Sequence, residues 1–200
     1  MFGSRLWRAA AMAAVAPAAP LAASEALAAE SVEERLATIG AGEFVWQPER
    51  AGEGEVEVVI SLADQRALVF RGGTLIGASS ISSGREGYES PIGRFHILQK
   101  ARHHRSNRYN SAPMPFMQRL NWYGVALHGG EVPDRPASHG CIRLPMGFAR
   151  HLFGATALGT YVFVTQDPFE TPEAALELAR AHVNQPIPAD RTPEWARGAR

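Results

Sequence analysis

The sequence predicts a mostly β domain, a sandwich or barrel with short helices and a helix near the C-terminus. Three observations predict it. Short apolar runs between positions 56 and 98 alternate with period two, as at Val56, Val58, Ile60 and Leu62. Glycine-bearing turns separate the runs, among them Arg71-Gly72-Gly73 and Ser83-Gly84-Arg85. Helical patterns are few and short, which favours an all-β arrangement over alternating β-α units.

Residues 1–29 carry the marks of a signal peptide. Arg5 and Arg8 give a positive start, residues 9–24 hold no charge, and Ala26-Leu27-Ala28 offers small residues to a signal peptidase. Cleavage is expected near Ala28 or Ala29, by the general route, since no twin-arginine pair is present. Pro17, Pro20 and the mild hydrophobicity of alanine argue against a stable membrane span, and no later stretch is long and apolar enough for one. Residues 30–54 read as an N-terminal extension, with a short helix at 32–39 and then Gly40, Gly42, Pro48, Gly52 and Gly54 as breakers.

The main domain is expected over 55–166. Strands are predicted at 56–62, 67–70, 74–82 and 94–98, with a turn at Ala63-Asp64-Gln65. From 99 to 121 regular patterning disappears. Arg102, His103, His104, Arg105 and Arg108 make this stretch basic, and Tyr109, Pro113, Met114, Pro115 and Phe116 make it partly apolar. Such a segment fits a lid over a binding site or a solvated loop. A strand follows at 123–128, then a short helix at 146–153 stopped by Gly154, then a closing strand at 160–164. Residues 167–200 are expected to form a C-terminal helix and tail. Thr171 caps that helix, Pro172 takes its first position, and Ala174, Leu176, Leu178 and Val183 give a loose apolar stripe.

The formal net charge is zero, so the chain has no general attraction for nucleic acid or anionic membranes. Its one cysteine, Cys141, lies in Ser138-His139-Gly140-Cys141-Ile142-Arg143-Leu144. Exported proteins usually pair their cysteines or avoid them, so a single thiol needs a reason. One reason is inert packing. Another is nucleophilic catalysis, because a histidine can take the thiol proton and return it to a leaving amine. A turn at Gly140 can aim backbone N–H groups at a carbonyl oxygen. His139 and His128 both qualify as the base, and spacing leaves both open. A zinc site from His128, His139 and Cys141 is a third reading, which lacks an evident fourth ligand. His103 and His104 read as loop polarity. Trp122, Tyr123 and Tyr88 fit either core packing or a substrate groove. Arg143 fits a surface ion pair or a contact to a substrate carboxylate.

Ser-His-Gly-Cys-Ile-Arg-Leu, preceded by His128-Gly129, resembles the signature of the L,D-transpeptidase (YkuD) catalytic domain. Residues 58–70, Ser82-Ser83-Gly84, Ser90-Pro91-Ile92-Gly93-Arg94-Phe95 and the approach from Pro115 to His128 resemble further family elements, in the family's order. The resemblance covers about residues 55–166. It implies a YkuD-like β-sandwich with Cys141 as nucleophile, His128 as base and the Gly129 carbonyl as the group that orients it. His139, Gly140 and the Cys141 amide would shape the oxyanion region. Arg143, Ser138, Trp122 and Tyr123 are the candidate substrate contacts, and no metal or other cofactor is required.

The implied activity is L,D-transpeptidation of peptidoglycan tetrapeptide stems through a thioester, in the periplasm or cell envelope. A second stem, water or an envelope protein can be the acceptor, so L,D-carboxypeptidation is an alternative. A non-catalytic peptidoglycan-binding module is another. Carbapenems inhibit the family, so the catalytic reading expects an adduct on Cys141 and the binding-module reading expects none. One departure from the family is a shorter segment between His128 and Ser138.

Overall fold

The alternation at 56–71 folds as an antiparallel hairpin. Strand β2 (Val56–Ser61) pairs β3 (Arg66–Arg71), with Val58 opposite Val69 and Ile60 opposite Ala67. The computed structural model describes residues 31–183. The expected signal segment at 1–29 and the tail from Asn184 lie outside them. Along the chain, α1 (Val32–Thr38) and β1 (Phe44–Trp46) precede the hairpin. After it come β4 (Thr74–Ser80), β5 (Gly93–His96), β6 (Gln99–Ala101), β7 (Met117–Arg119), β8 (Ala126–Gly129), β9 (Ile142–Leu144), α2 (Met146–Ala155), β10 (Tyr161–Thr165) and α3 (Pro172–Ala181).

These strands form two sheets, so the fold is a sandwich and not a closed barrel. One sheet has the order β1-β4-β3-β2-β10-β5, the other β6-β7-β8-β9. The main core joins them: Val58, Ile60, Val69 and Val162 from the first sheet, Leu127, Ile142 and Leu144 from the second, and Phe148 and Leu152 from α2. Burial of such side chains is the main favourable term for the fold.

The first sheet is covered on its other face too. Val59, Leu68, Phe70 and Phe163 pack there against Val32 of α1 and against Ala175, Leu176 and Ala179 of α3. This corrects the reading of β2, in which Val59 fell in the polar phase. Val59 is fully buried because helices roof that face. It also corrects the α3 stripe, which is Ala175, Leu176 and Ala179 with Leu178 partly buried, and without Ala174 or Val183. Thr171 does cap α3, its hydroxyl accepting from the Ala174 N–H at 3.1 Å, with Pro172 in the first turn.

Three other expectations change. Residues 99–121 contain two strands, β6 and β7, which pair with each other. The strand expected from 123 begins at Ala126, because Gly124 turns the chain at φ +106°. Gly154 does not stop α2, which continues to Ala155. Its C-terminal end is capped by Lys100, the only lysine in the chain, whose ammonium donates to the Phe153 and Thr156 carbonyls at 2.7 and 2.6 Å. No helix among the described residues is long and apolar enough to cross a membrane.

Residues 31–54 are built into this architecture. Ser31 and Glu34 form a capping box on α1, and β1 is the edge strand beside β4. Phe44 and Trp46 lie against Phe148 with ring centroids 5.8 and 5.6 Å apart, and Trp46 stacks on His151. They therefore clamp α2, which in turn packs on β8. Trp46→Ala is expected to cost about 2–3 kcal/mol, at or below the low end of the range for large aromatics, since Trp46 is half-buried. That is a Tm drop of roughly 5–10 °C by calorimetry. A shift under about 1 °C would mean that the extension does not support the domain.

Candidate active site

Strands β8 and β9 run parallel, with Leu127 beside Ile142 and His128 beside Arg143. Side chains alternate across a sheet, so the core takes Leu127 and Ile142, and the opposite face receives Ala126, His128, Cys141 and Arg143. The register thus brings the cysteine and the distant histidine to one surface. That surface walls a cavity of about 510 Å³ whose lining includes His128, His139, Cys141 and Arg143.

The turn that presents Cys141 is tied at several points. The Ser138 hydroxyl accepts from the Gly140 N–H at 3.1 Å and donates to the Cys141 carbonyl. Gly140 sits at φ +105°, which a residue with a Cβ rarely adopts. The Ser90 hydroxyl donates to the Gly140 carbonyl at 3.0 Å and accepts from the Gly84 N–H at 2.9 Å. A Cβ on Gly84 would lie 1.9 Å from the Tyr88 carbonyl, so only glycine lets this loop close. Ser83 accepts from the Ala137 and Ser138 N–H groups, and Ser82 exchanges both backbone bonds with Arg143. Ser90 therefore fixes the plane of the peptide that carries the Cys141 N–H.

His128 is 8 % exposed, and its Nδ1 lies 2.9 Å from the Gly129 carbonyl. A carbonyl only accepts, so Nδ1 carries the hydrogen and donates, and Nε2 keeps its lone pair. Burial lowers the His128 pKa to about 4, against the opposing pull of that bond. Cys141 is half-buried, its sulfur 3.4 Å from the Gly124 carbonyl. Burial pushes its thiol up to about 11, although a hydrogen bond with the Ala126 backbone N–H and then Arg119 and Arg143 pull it down. At neutral pH the pair is an uncharged thiol and an uncharged imidazole.

His139 is placed differently. It stacks on Tyr109 at 4.5 Å and meets the edge of Tyr88 at 4.9 Å, and the Arg85 guanidinium lies over Tyr88 at 4.4 Å. Burial first, then Arg85 and Arg143, lower its pKa. Among the described residues no three His, Cys, Asp or Glu side chains are placed to hold a metal ion.

The remaining expected residues divide. Trp122 and Tyr123 line the cavity and are 71 % and 45 % exposed, so they are not core packing. Arg143 lines it as well, with one Nη donating to the Ala137 carbonyl at 3.1 Å. Ser138 touches the cavity wall too, 1 % exposed and with its hydroxyl engaged within the turn. The irregular segment supplies His104, Tyr109 and Met114 to the lining, so it borders the site. Sequence reasoning missed Ser90, Tyr109 and Arg119. Ser90 had a signal in the Ser-Pro-Ile-Gly element; the other two had none beyond residue type.

A family model described as the L,D-transpeptidase catalytic domain (YkuD) matches residues 55–164. Among solved structures the chain is similar to an L,D-transpeptidase from Mycobacterium tuberculosis H37Rv, at 23 % identity and a TM-score of 0.52, over 55 % of this chain and 57 % of that one. It is similar to one from Mycobacterium smegmatis at 21 % identity and TM-score 0.51, over 56 % and 58 %. It is similar to one from Xylanimonas cellulosilytica DSM 15894 at 25 % identity and TM-score 0.50, over 57 % and 62 %. The chain thus spans less than two thirds of the length of these structures. No curated protein matches it.

Proposed function

Because the chain belongs to the L,D-transpeptidase catalytic-domain family, we propose that it is a cysteine-dependent L,D-transpeptidase acting on peptidoglycan tetrapeptide stems. The parallel register of β8 and β9 carries this reading, since it sets Cys141 and a buried, carbonyl-oriented His128 on the same cavity wall.

In the proposed reaction His128 Nε2 takes the Cys141 proton as the sulfur attacks the carbonyl of the bond before a terminal D-Ala. An S–C bond forms and the carbonyl oxygen becomes an oxyanion, which the Cys141 N–H would bind; the Ser90 bond to the Gly140 carbonyl, which fixes that peptide, supports this role. The C–N bond then breaks, His128 returns its proton to the leaving D-Ala amine, and a thioester remains. A second stem's amine attacks that thioester, the S–C bond breaks, and the cysteine recovers its proton. His139, clamped by two tyrosines, holds the wall beside the nucleophile in this scheme. We also propose that residues 55–166 form the catalytic domain, flanked by the extension at 30–54 and the helix and tail from 167, and that the chain is exported to the periplasm or envelope after cleavage of 1–29.

Incubation of the mature chain with disaccharide tetrapeptides, with products separated by mass, tests this. The expected result is loss of D-Ala, a transient thioester on Cys141 and cross-linked dimers. Tripeptides alone would mean that water is the acceptor, hence an L,D-carboxypeptidase. No acyl adduct, from the stem or from a carbapenem, would leave a peptidoglycan-binding module.

A further inference from the structure

Arg119 lies outside the catalytic pair yet on the same wall. It pairs with Ala126 across β7 and β8, and Ala126 precedes Leu127 as Cys141 precedes Ile142. Arg119, Ala126 and Cys141 therefore form a row across one face of the sheet, with Arg119 about 10 Å from the cysteine at two strand spacings. That is the reach of roughly three extended peptide residues.

The arginine is held at two points. Its Nε donates to Gln99 Oε1 at 2.8 Å, and its guanidinium stands over the Trp122 ring at 5.5 Å. Trp122 is itself 71 % exposed at the cavity, a platform that the fold does not cover. Among the described residues neither Arg119 nor Arg143 forms an ion pair. Among the described residues the charged groups lining the cavity are Arg108, Arg119 and Arg143 against Glu131, so its field is positive. Arg119 also contributes to depressing His104, after burial. A half-buried guanidinium, pre-oriented on an indole and facing no carboxylate of its own, is built to meet an anion.

We infer that Arg119, steadied by Trp122, is a carboxylate subsite through which this protein selects stem peptides with free, not amidated, side-chain carboxylates; the inference rests on the transpeptidase reading above. Arg143, on β9 beside His128, lies on the same wall two strands from Arg119, so the two guanidinium groups would grip a stem at separate points. Amidation replaces a charge-assisted bond with a neutral one, a loss of roughly 10-fold in kcat/KM.

The test is a competition. Two disaccharide tetrapeptides, identical except for amidation of the side-chain carboxylates, are mixed with the mature chain and their consumption is followed by mass. Wild type is expected to prefer the free acid by about 10-fold, less at high salt. Arg119→Gln should bring the ratio to within about 2-fold, chiefly through KM, and Arg119→Lys should retain part of it. Trp122→Ala, which leaves β7 intact, should lower the same ratio if Arg119→Gln fails to fold. Equal consumption by wild type, or a preference that survives Arg119→Gln and Trp122→Ala, overturns the subsite while the transpeptidase reading stands. No thioester on Cys141 from either stem overturns both.

Discussion

Cys141→Ala is expected to abolish acyl-enzyme formation and to lower D-Ala release by on the order of 10⁵-fold or more, the scale on which acyl-transfer enzymes lose rate with their nucleophile. Intact-mass measurement after incubation with a tetrapeptide or a carbapenem checks it: wild type gains one adduct and the variant none. Folding should hardly change. The sulfur makes two weak polar contacts, 3.4 Å from the Gly124 carbonyl and with the Ala126 backbone N–H, and packs beside Met114, Met117 and Ala126, so its removal leaves a small cavity worth about 1 kcal/mol. Thermal unfolding separates the two effects.

Cys141→Ser is expected to fare little better. The base is weak, lowered to about 4 by burial, and a hydroxyl gives up its proton far less readily than a thiol. In the proposed mechanism a sulfur nucleophile would suit this histidine because it needs less help. Serine turnover within about 10-fold of wild type would show that His128 is a stronger base than its burial allows.

The reasons that some of this was legible in the sequence and some was not are physical. The hairpin at 56–71 announced itself because its strands are six residues long and one face is continuously apolar. Strands β6, β7 and β9 have three residues each, too few for any period to register. They exist because of what they pair with. Val59 was misjudged for a related reason: a strand roofed on both faces loses the alternation that marks a half-exposed one.

The site divides along the same line. Cys141 and His128 were readable because one motif holds the thiol and a second ends a strand. Ser90 acts on Gly140 from 50 residues away, and Arg119 reaches the wall through a register that only the folded sheet defines. Whether Trp122 and Tyr123 were core or groove was undecidable from residue type, and their exposure decides it.

His128→Asn is expected to lower kcat/KM by roughly 10³–10⁴-fold, the upper range for losing a general base. Asparagine can still donate an N–H toward the Gly129 carbonyl, so the loss reports the missing base more than a disturbed turn. The pH profile separates the two further. With His128 lowered to about 4 and Cys141 raised to about 11, wild-type kcat/KM should stay flat across the neutral range and fall only toward those limits, with no inflection near 6.5. An inflection there would mean that the working base is an ordinary, solvated histidine.

Stability carries the same signature. The unfolded histidine binds a proton near its usual 6.5, while the folded one holds out to about 4. Between those values the unfolded state binds more protons, so stability falls as pH falls through that window, by about 3 kcal/mol in all. Carboxylates protonate in part of this range too, so the comparison must be with the variant. Urea unfolding at pH 7 and pH 4.5 should show His128→Asn losing less stability on acidification than wild type. An equal loss in both proteins would mean that His128 is not buried in its neutral form, and the uncharged Cys–His pair would have to be given up.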